Sequence, residues 1–122
     1  MVRDSKALGR LSTICLAFPE ASTERSGSHA TFRVRKKVFA YFLDNHHGDG
    51  IVSVCVKTQL GENRDLARAN PKTFYLPAYI GARGWVGYRL HRGSIDWDDV
   101  VKFVKSSYCQ VAPKKLVAMA KG

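Results

Sequence analysis

Long apolar runs are absent from this chain. The longest is Val38–Leu43, far below the roughly 20 residues that a membrane-spanning helix needs. The charged opening, Met1 to Lys6, leads into no hydrophobic signal core. Neither a membrane partner nor secretion is therefore expected, and the expected location is the cytoplasm. Cysteine is scarce and odd in number. Cys15, Cys55 and Cys109 are far apart, each inside an apolar pattern, which excludes a disulfide framework and reads as three reduced thiols. Acidic residues are also few, with 10 Asp plus Glu against 20 Lys plus Arg.

The resulting net charge of +10 is spread over the whole length rather than held in a tail. It belongs to the folded surface and favours polyanionic partners. Hydrophobic residues make up 45% of the chain, too many for a disordered protein. At 122 residues the chain fits a single domain over 1–122, large enough to fold without a disulfide or a metal.

Local patterns give the element order. Asp4 or Ser5 can cap a first helix whose Leu8, Leu11, Ile14, Cys15 and Phe18 recur at helical spacing, and Pro19 stops it. Residues 21–28 read as an edge strand or loop. Thr31 to Asn45 reads as a hairpin. With Lys36-Lys37 as a two-residue turn, Val34 faces Phe39 and Phe32 faces Tyr41. Alternation then places Phe32, Val34, Phe39, Tyr41 and Leu43 inward, and Arg33, Arg35, Val38, Ala40 and Phe42 outward. Ile51 to Lys57 is a strand with Val52, Val54 and Val56 inward. Gly61 to Asn70 is a short helix before Pro71, and Thr73 to Ile80 an irregular docking segment. Gly84 to Leu90 is a strand with Val86, Tyr88 and Leu90 inward. Asp96 caps the best-signalled helix, with Trp97, Val100, Val101, Val104 and Tyr108 as its apolar stripe. Pro113 opens a last short helix. This order predicts an α+β two-layer domain: an antiparallel sheet with the N- and C-terminal helices packed on one face.

One ordered series in the chain resembles the MmcQ/YjbR family of small bacterial α+β proteins. It comprises Phe18-Pro19-Glu20, His29 before Thr31-Phe32-Arg33-Val34, and Phe39-Ala40. It continues through Tyr79, Gly84-Trp85-Val86-Gly87-Tyr88, Asp96-Trp97, Ser106-Ser107-Tyr108 and Lys114-Lys115-Leu116. The resemblance implies a fold likened to secretion chaperones and frataxin-like sheets. Some members have been proposed to bind DNA through a double wing of strand hairpins. This chain departs from the pattern after Val34, where the family often has Gly before Lys and this sequence has Arg35-Lys36-Lys37.

Candidate sites follow from chemistry. Period-two reading places Arg33, Arg35, Phe42, Lys57, Trp85 and Arg89 on the open sheet face, where cations can neutralise phosphates and rings can stack on bases. Lys36 and Lys37 add a basic hairpin tip. Asp44, His46, His47 and Asp49 are metal-ligating residue types, but neither helix nor strand spacing aligns them, so no metal is expected. Gly81, Gly84 and Gly87 around Arg83 precede a strand rather than a helix and do not make a phosphate loop. His29 and His91 lack a spaced nucleophile, and no cofactor fingerprint appears, so the chain is read as non-catalytic and without a cofactor. The reading is a nucleic-acid-binding protein, DNA rather than RNA. It uses Arg33, Arg35, Lys36, Lys37 and Arg89 for phosphates and Trp85 for stacking. The alternative is a chaperone-like module binding an acidic protein partner. The expected state is a monomer or weak dimer.

Overall fold

A computed structural model describes residues 5–45, 48–90 and 95–121. Helix α1 (Ser5–Leu16) is followed by β1 (Ala21–Ser26), β2 (His29–Val34), β3 (Lys37–Asp44) and β4 (Val52–Lys57). Then come α2 (Glu62–Ala69), β5 (Phe74–Tyr75), a 3-10 turn at Ile80–Arg83 and β6 (Trp85–Arg89). Helices α3 (Trp97–Val111) and α4 (Lys114–Lys121) close the chain. The strands form one sheet in the order β1-β2-β3-β4-β6-β5, every neighbouring pair antiparallel. The fold is α+β, as the element order implies.

One sheet face carries the core. Phe32, Val34, Ala40, Phe42, Val54, Val56 and Val86 are buried there, together with Leu8 and Leu11 of α1, Val100, Val104 and Tyr108 of α3, and Leu116 of α4. Helix α3 starts where the sequence places it. The Asp96 carboxylate accepts from the Asp99 amide at 3.1 Å, satisfying one of the free N–H groups of the first turn. Its stripe is narrower than expected, because Val101 faces solvent.

The β2–β3 hairpin corrects the expected register. The turn is Arg35-Lys36, with Val34 opposite Lys37 and Arg33 opposite Val38, while Phe32 faces Ala40. The pairing shifts between Phe32 and Arg33, leaving Phe39 as an extra residue on β3. A bulge of this kind reverses strict alternation. Phe39 and Ala40 are therefore both buried, Phe42 is core, and Tyr41 and Leu43 lie on the opposite face. Arg35 adopts φ 57°, a left-handed conformation that suits glycine better than arginine.

A hydroxyl repairs the ladder beside the bulge. Phe39 would stand opposite Lys57 in the β3–β4 register, in which Ala40 faces Val56. Instead Ser107 Oγ donates to the Phe39 carbonyl at 2.6 Å and accepts from the Lys57 amide at 2.9 Å. Gln110 Nε2 donates to the Lys57 carbonyl at 2.9 Å. Next to Ser107, the Tyr108 hydroxyl donates to the Pro19 carbonyl at 2.7 Å, and its ring stacks on Phe18 and meets Phe39 edge-on. Three of the short motifs behind the family resemblance thus converge on one packed junction.

Candidate nucleic-acid interface

The residues nominated on the open face do not form one surface. Trp85 is only 8% exposed; its ring packs against Tyr41 at 5.2 Å, and it is no open stacking platform. Phe42 belongs to the core. Arg33 donates to Glu24 on β1 at 2.6 Å. Arg89 lies 5.0 Å over the Tyr75 ring, and among the described residues its buried Nε has no hydrogen-bond partner.

For Arg89 the physical reason is Tyr75 of β5. Tyr75 lies across Gly87, where any β-carbon would overlap its ring. Its hydroxyl reaches Ser53 Oγ on β4 at 2.7 Å. Ser53 and Cys55, which strand alternation points outward, are buried beneath it. Gly84, at φ 95°, brings its carbonyl to the Thr58 amide and hydroxyl at 2.8 and 2.6 Å. Gly84 and Gly87 therefore serve close packing against the Thr58 backbone and the Tyr75 ring. Asn63 of α2 fixes the same region by donating to the Gly81 and Trp85 carbonyls.

The hairpin tip is different. Arg35, Lys36 and Lys37 are exposed there, and Lys36 and Lys37 make no ion pair among the described residues. Arg35 grips Glu20 with two hydrogen bonds, at 2.9 and 3.2 Å. That bond is the main reason the Glu20 carboxyl lies below its ordinary range. Slight burial opposes it, and the charges of Arg35 and Lys115 assist it. Lys115, at the start of α4, is thus near enough to Glu20 for its charge to act on that carboxyl. Between the tip and the α3–α4 junction lies a cleft of about 480 Å³, lined by Arg35, Lys36, Lys37, Gln110 and Pro113 among others. Lys115 was not expected as a site residue, although Lys114-Lys115 stood in the family-like series.

The other candidate chemistry stays apart. Asp44 and Asp49 are described, whereas His46 and His47 lie outside the described residues, as does His91. Among the described residues no cluster of three His, Cys, Asp or Glu side chains could hold a metal. All three cysteines are free thiols. Burial pushes the Cys15 thiol far up and the Cys55 thiol to about 11, the latter against opposing hydrogen bonds from Ser53 and Tyr75. His29 Nε2 donates to the Asp44 carbonyl at 3.1 Å, tying β2 to the end of β3.

A family model described as YjbR matches residues 16–110, from the end of α1 to the last turn of α3. The chain belongs to the YjbR family. No match was found among curated proteins. The fold is similar to the crystal structure of Deinococcus radiodurans protein DR2400, described with a DUF419 domain. The TM-score is 0.70 at 16% identity, over 93% of this chain and 84% of that one. The YjbR match ends just beyond Ser107 and Tyr108, so it contains the whole hydroxyl-repaired junction but not Lys114 and Lys115. No helix among the described residues is long and apolar enough to cross a membrane.

Proposed function

We propose that the chain binds duplex DNA by phosphate contact through the tip of the β2–β3 hairpin and the start of α4. The observation that carries this reading is the exposed Lys36 and Lys37, without an ion pair among the described residues, beside a cleft that Arg35 also lines, with the Lys115 charge acting on Glu20. Cations held on a turn and a helix end can follow a phosphate backbone without reading bases. Trp85 no longer supports a single-strand reading, because its ring is covered. Arg33 and Arg89 drop out of first contact, since Glu24 and Tyr75 already engage them.

The role is binding rather than catalysis. The Cys55 thiol stays protonated at neutral pH, and thiolate is the reactive form. Three reduced cysteines accord with a cytoplasmic setting. Fluorescence anisotropy with a short duplex and a single strand of equal length, titrated with salt, tests the reading. Duplex affinity should fall with salt at a slope of about −0.9 per phosphate neutralised. Absence of duplex binding at low salt rejects it and leaves an acidic protein partner as the reading to pursue.

A further inference from the structure

The open sheet face, on which no nucleic-acid contact is proposed, holds a second cleft of about 480 Å³. Its floor is the outward side of β2 and β3, with Thr31, Tyr41 and Leu43. Its far wall is the end of β5 and the segment that follows it, with Tyr75, Pro77 and Tyr79. The size lies within the range of small-molecule sites, about 300–1,000 Å³.

The lining chemistry is unlike the rest of the molecule. The chain has 20 lysines and arginines, yet none lines this cleft among the described residues. Three tyrosines and the Asp49 carboxylate do. Asp49 Oδ1 accepts from the Ile51 amide at 2.9 Å, which fixes the carboxylate, and the group makes no ion pair among the described residues. The Tyr41 hydroxyl makes no hydrogen bond there either. Tyr79 sits at φ 67° and ψ −58°, where the Ala78 carbonyl accepts from the Ile80 amide at 2.7 Å. This is a γ-turn, a strained geometry for a residue with a β-carbon. The turn holds an aromatic ring that is 84% exposed at the rim of the cleft.

We propose that this cleft binds a small organic cation with an apolar body. The apolar part sits among Tyr41, Pro77 and Tyr79, and the ammonium group is held by the π faces of Tyr41 and Tyr79 and the Asp49 carboxylate. Aromatic faces attract cations within about 6 Å of the ring centroid, and ammonium ligands are recognised in this way. The protein's net positive charge does not oppose this decisively, because exposed charges beyond about 8 Å are screened at physiological salt. Asp49 and the rings of Tyr41 and Tyr79 are the near field, while the Tyr75 ring is already engaged by Arg89. An anionic ligand, which the overall charge would favour, would meet a carboxylate and no lysine or arginine in the lining.

Three probes separate the possibilities: 2-phenylethylamine, protonated at neutral pH, its uncharged analogue 2-phenylethanol, and phenylacetate. Chemical-shift titration of the labelled protein should show the amine perturbing the amides of Asp49, Tyr41 and Tyr79. The alcohol should bind roughly fivefold more weakly, and phenylacetate more weakly still. Asp49→Asn keeps the Oδ1 acceptor for Ile51 and should erase the preference for the amine over the alcohol. Tyr79→Gly suits the turn, keeps the fold and should weaken the amine severalfold. The proposal is overturned if phenylacetate binds as well as the amine, or if both variants bind the amine like the parent. It is equally overturned if no probe shifts the cleft resonances at millimolar concentration. DNA affinity is read separately at the hairpin tip and should not change in either variant.

Discussion

Ser107 Oγ stands where Phe39 and Lys57 would otherwise bond directly, 2.6 Å from one and 2.9 Å from the other. Replacing it with alanine leaves a buried carbonyl and an amide without this partner. Each such loss costs about 1–3 kcal/mol. Ser107→Ala should therefore lower unfolding free energy by roughly 2–4 kcal/mol in a denaturant titration, with faster hydrogen exchange at the Lys57 amide. A loss below about 0.5 kcal/mol, the scale of an ordinary surface substitution, would show that the strands close up without the hydroxyl.

The contact between Gly87 and Tyr75 makes a coupled prediction. Gly87→Ala should force the Tyr75 ring off β6 and cost about 1–3 kcal/mol. In a Tyr75→Ala background the same change should cost much less, because the obstacle is gone. Additive losses in the double mutant would mean that the strand, rather than the ring, rejects the methyl group.

At the hairpin tip, Lys36→Ala, Lys37→Ala and Lys115→Ala should each weaken duplex binding for all sequences alike and flatten the salt slope by nearly one unit. Arg35→Ala should do less, since Glu20 already offsets its charge. Trp85→Phe should leave DNA affinity unchanged. An effect confined to Trp85 would return the interface to the sheet face.

Stability should also report the buried thiols. The Cys55 pKa rises from 9.0 toward about 11 on folding, chiefly through desolvation. Its contribution is fully present below pH 9 and is lost as pH climbs through 11. Tyr75 and Cys15 are raised further by burial and extend the decline. Melting temperature should hold below pH 9 and drop above it, with a shallower drop in Cys55→Ala. Under native conditions a thiol reagent should label Cys109 first, because Cys15 and Cys55 are enclosed.

Elements announced by local chemistry were legible in the sequence. Asp96 and Asp99 mark the start of α3, Pro19 ends the first helix segment, and the valines of β4 and β6 face inward as alternation requires. The β3 phase was not, because the extra residue at Phe39 has no signature of its own. It is tolerated through Ser107, 68 positions later. That slip moved Tyr41 and Phe42 to the wrong faces. Trp85 was misjudged for a related reason: the same slip turns Tyr41 to the outer face, where its ring packs against Trp85. The charged tip was legible because turn residues are exposed whatever the register. Lys115 was not placed there, since only the folded chain brings α4 beside Glu20.

The Tyr108 hydroxyl meets the Pro19 carbonyl across 89 positions of sequence, and Ser107 beside it completes a strand pair made long before. During synthesis the six strands can all leave the ribosome while this seal is still missing. Until α3 arrives, α1 alone covers the inner sheet face, and Phe18, Phe39 and the part that Val100, Val104 and Tyr108 bury stay open. Contacts this distant make closure slow and late, so the growing chain should need shelter from chaperones up to the point at which residue 108 emerges. A stalled nascent chain ending before Ser107 should be cut readily by protease, and one extending well past α4 should resist.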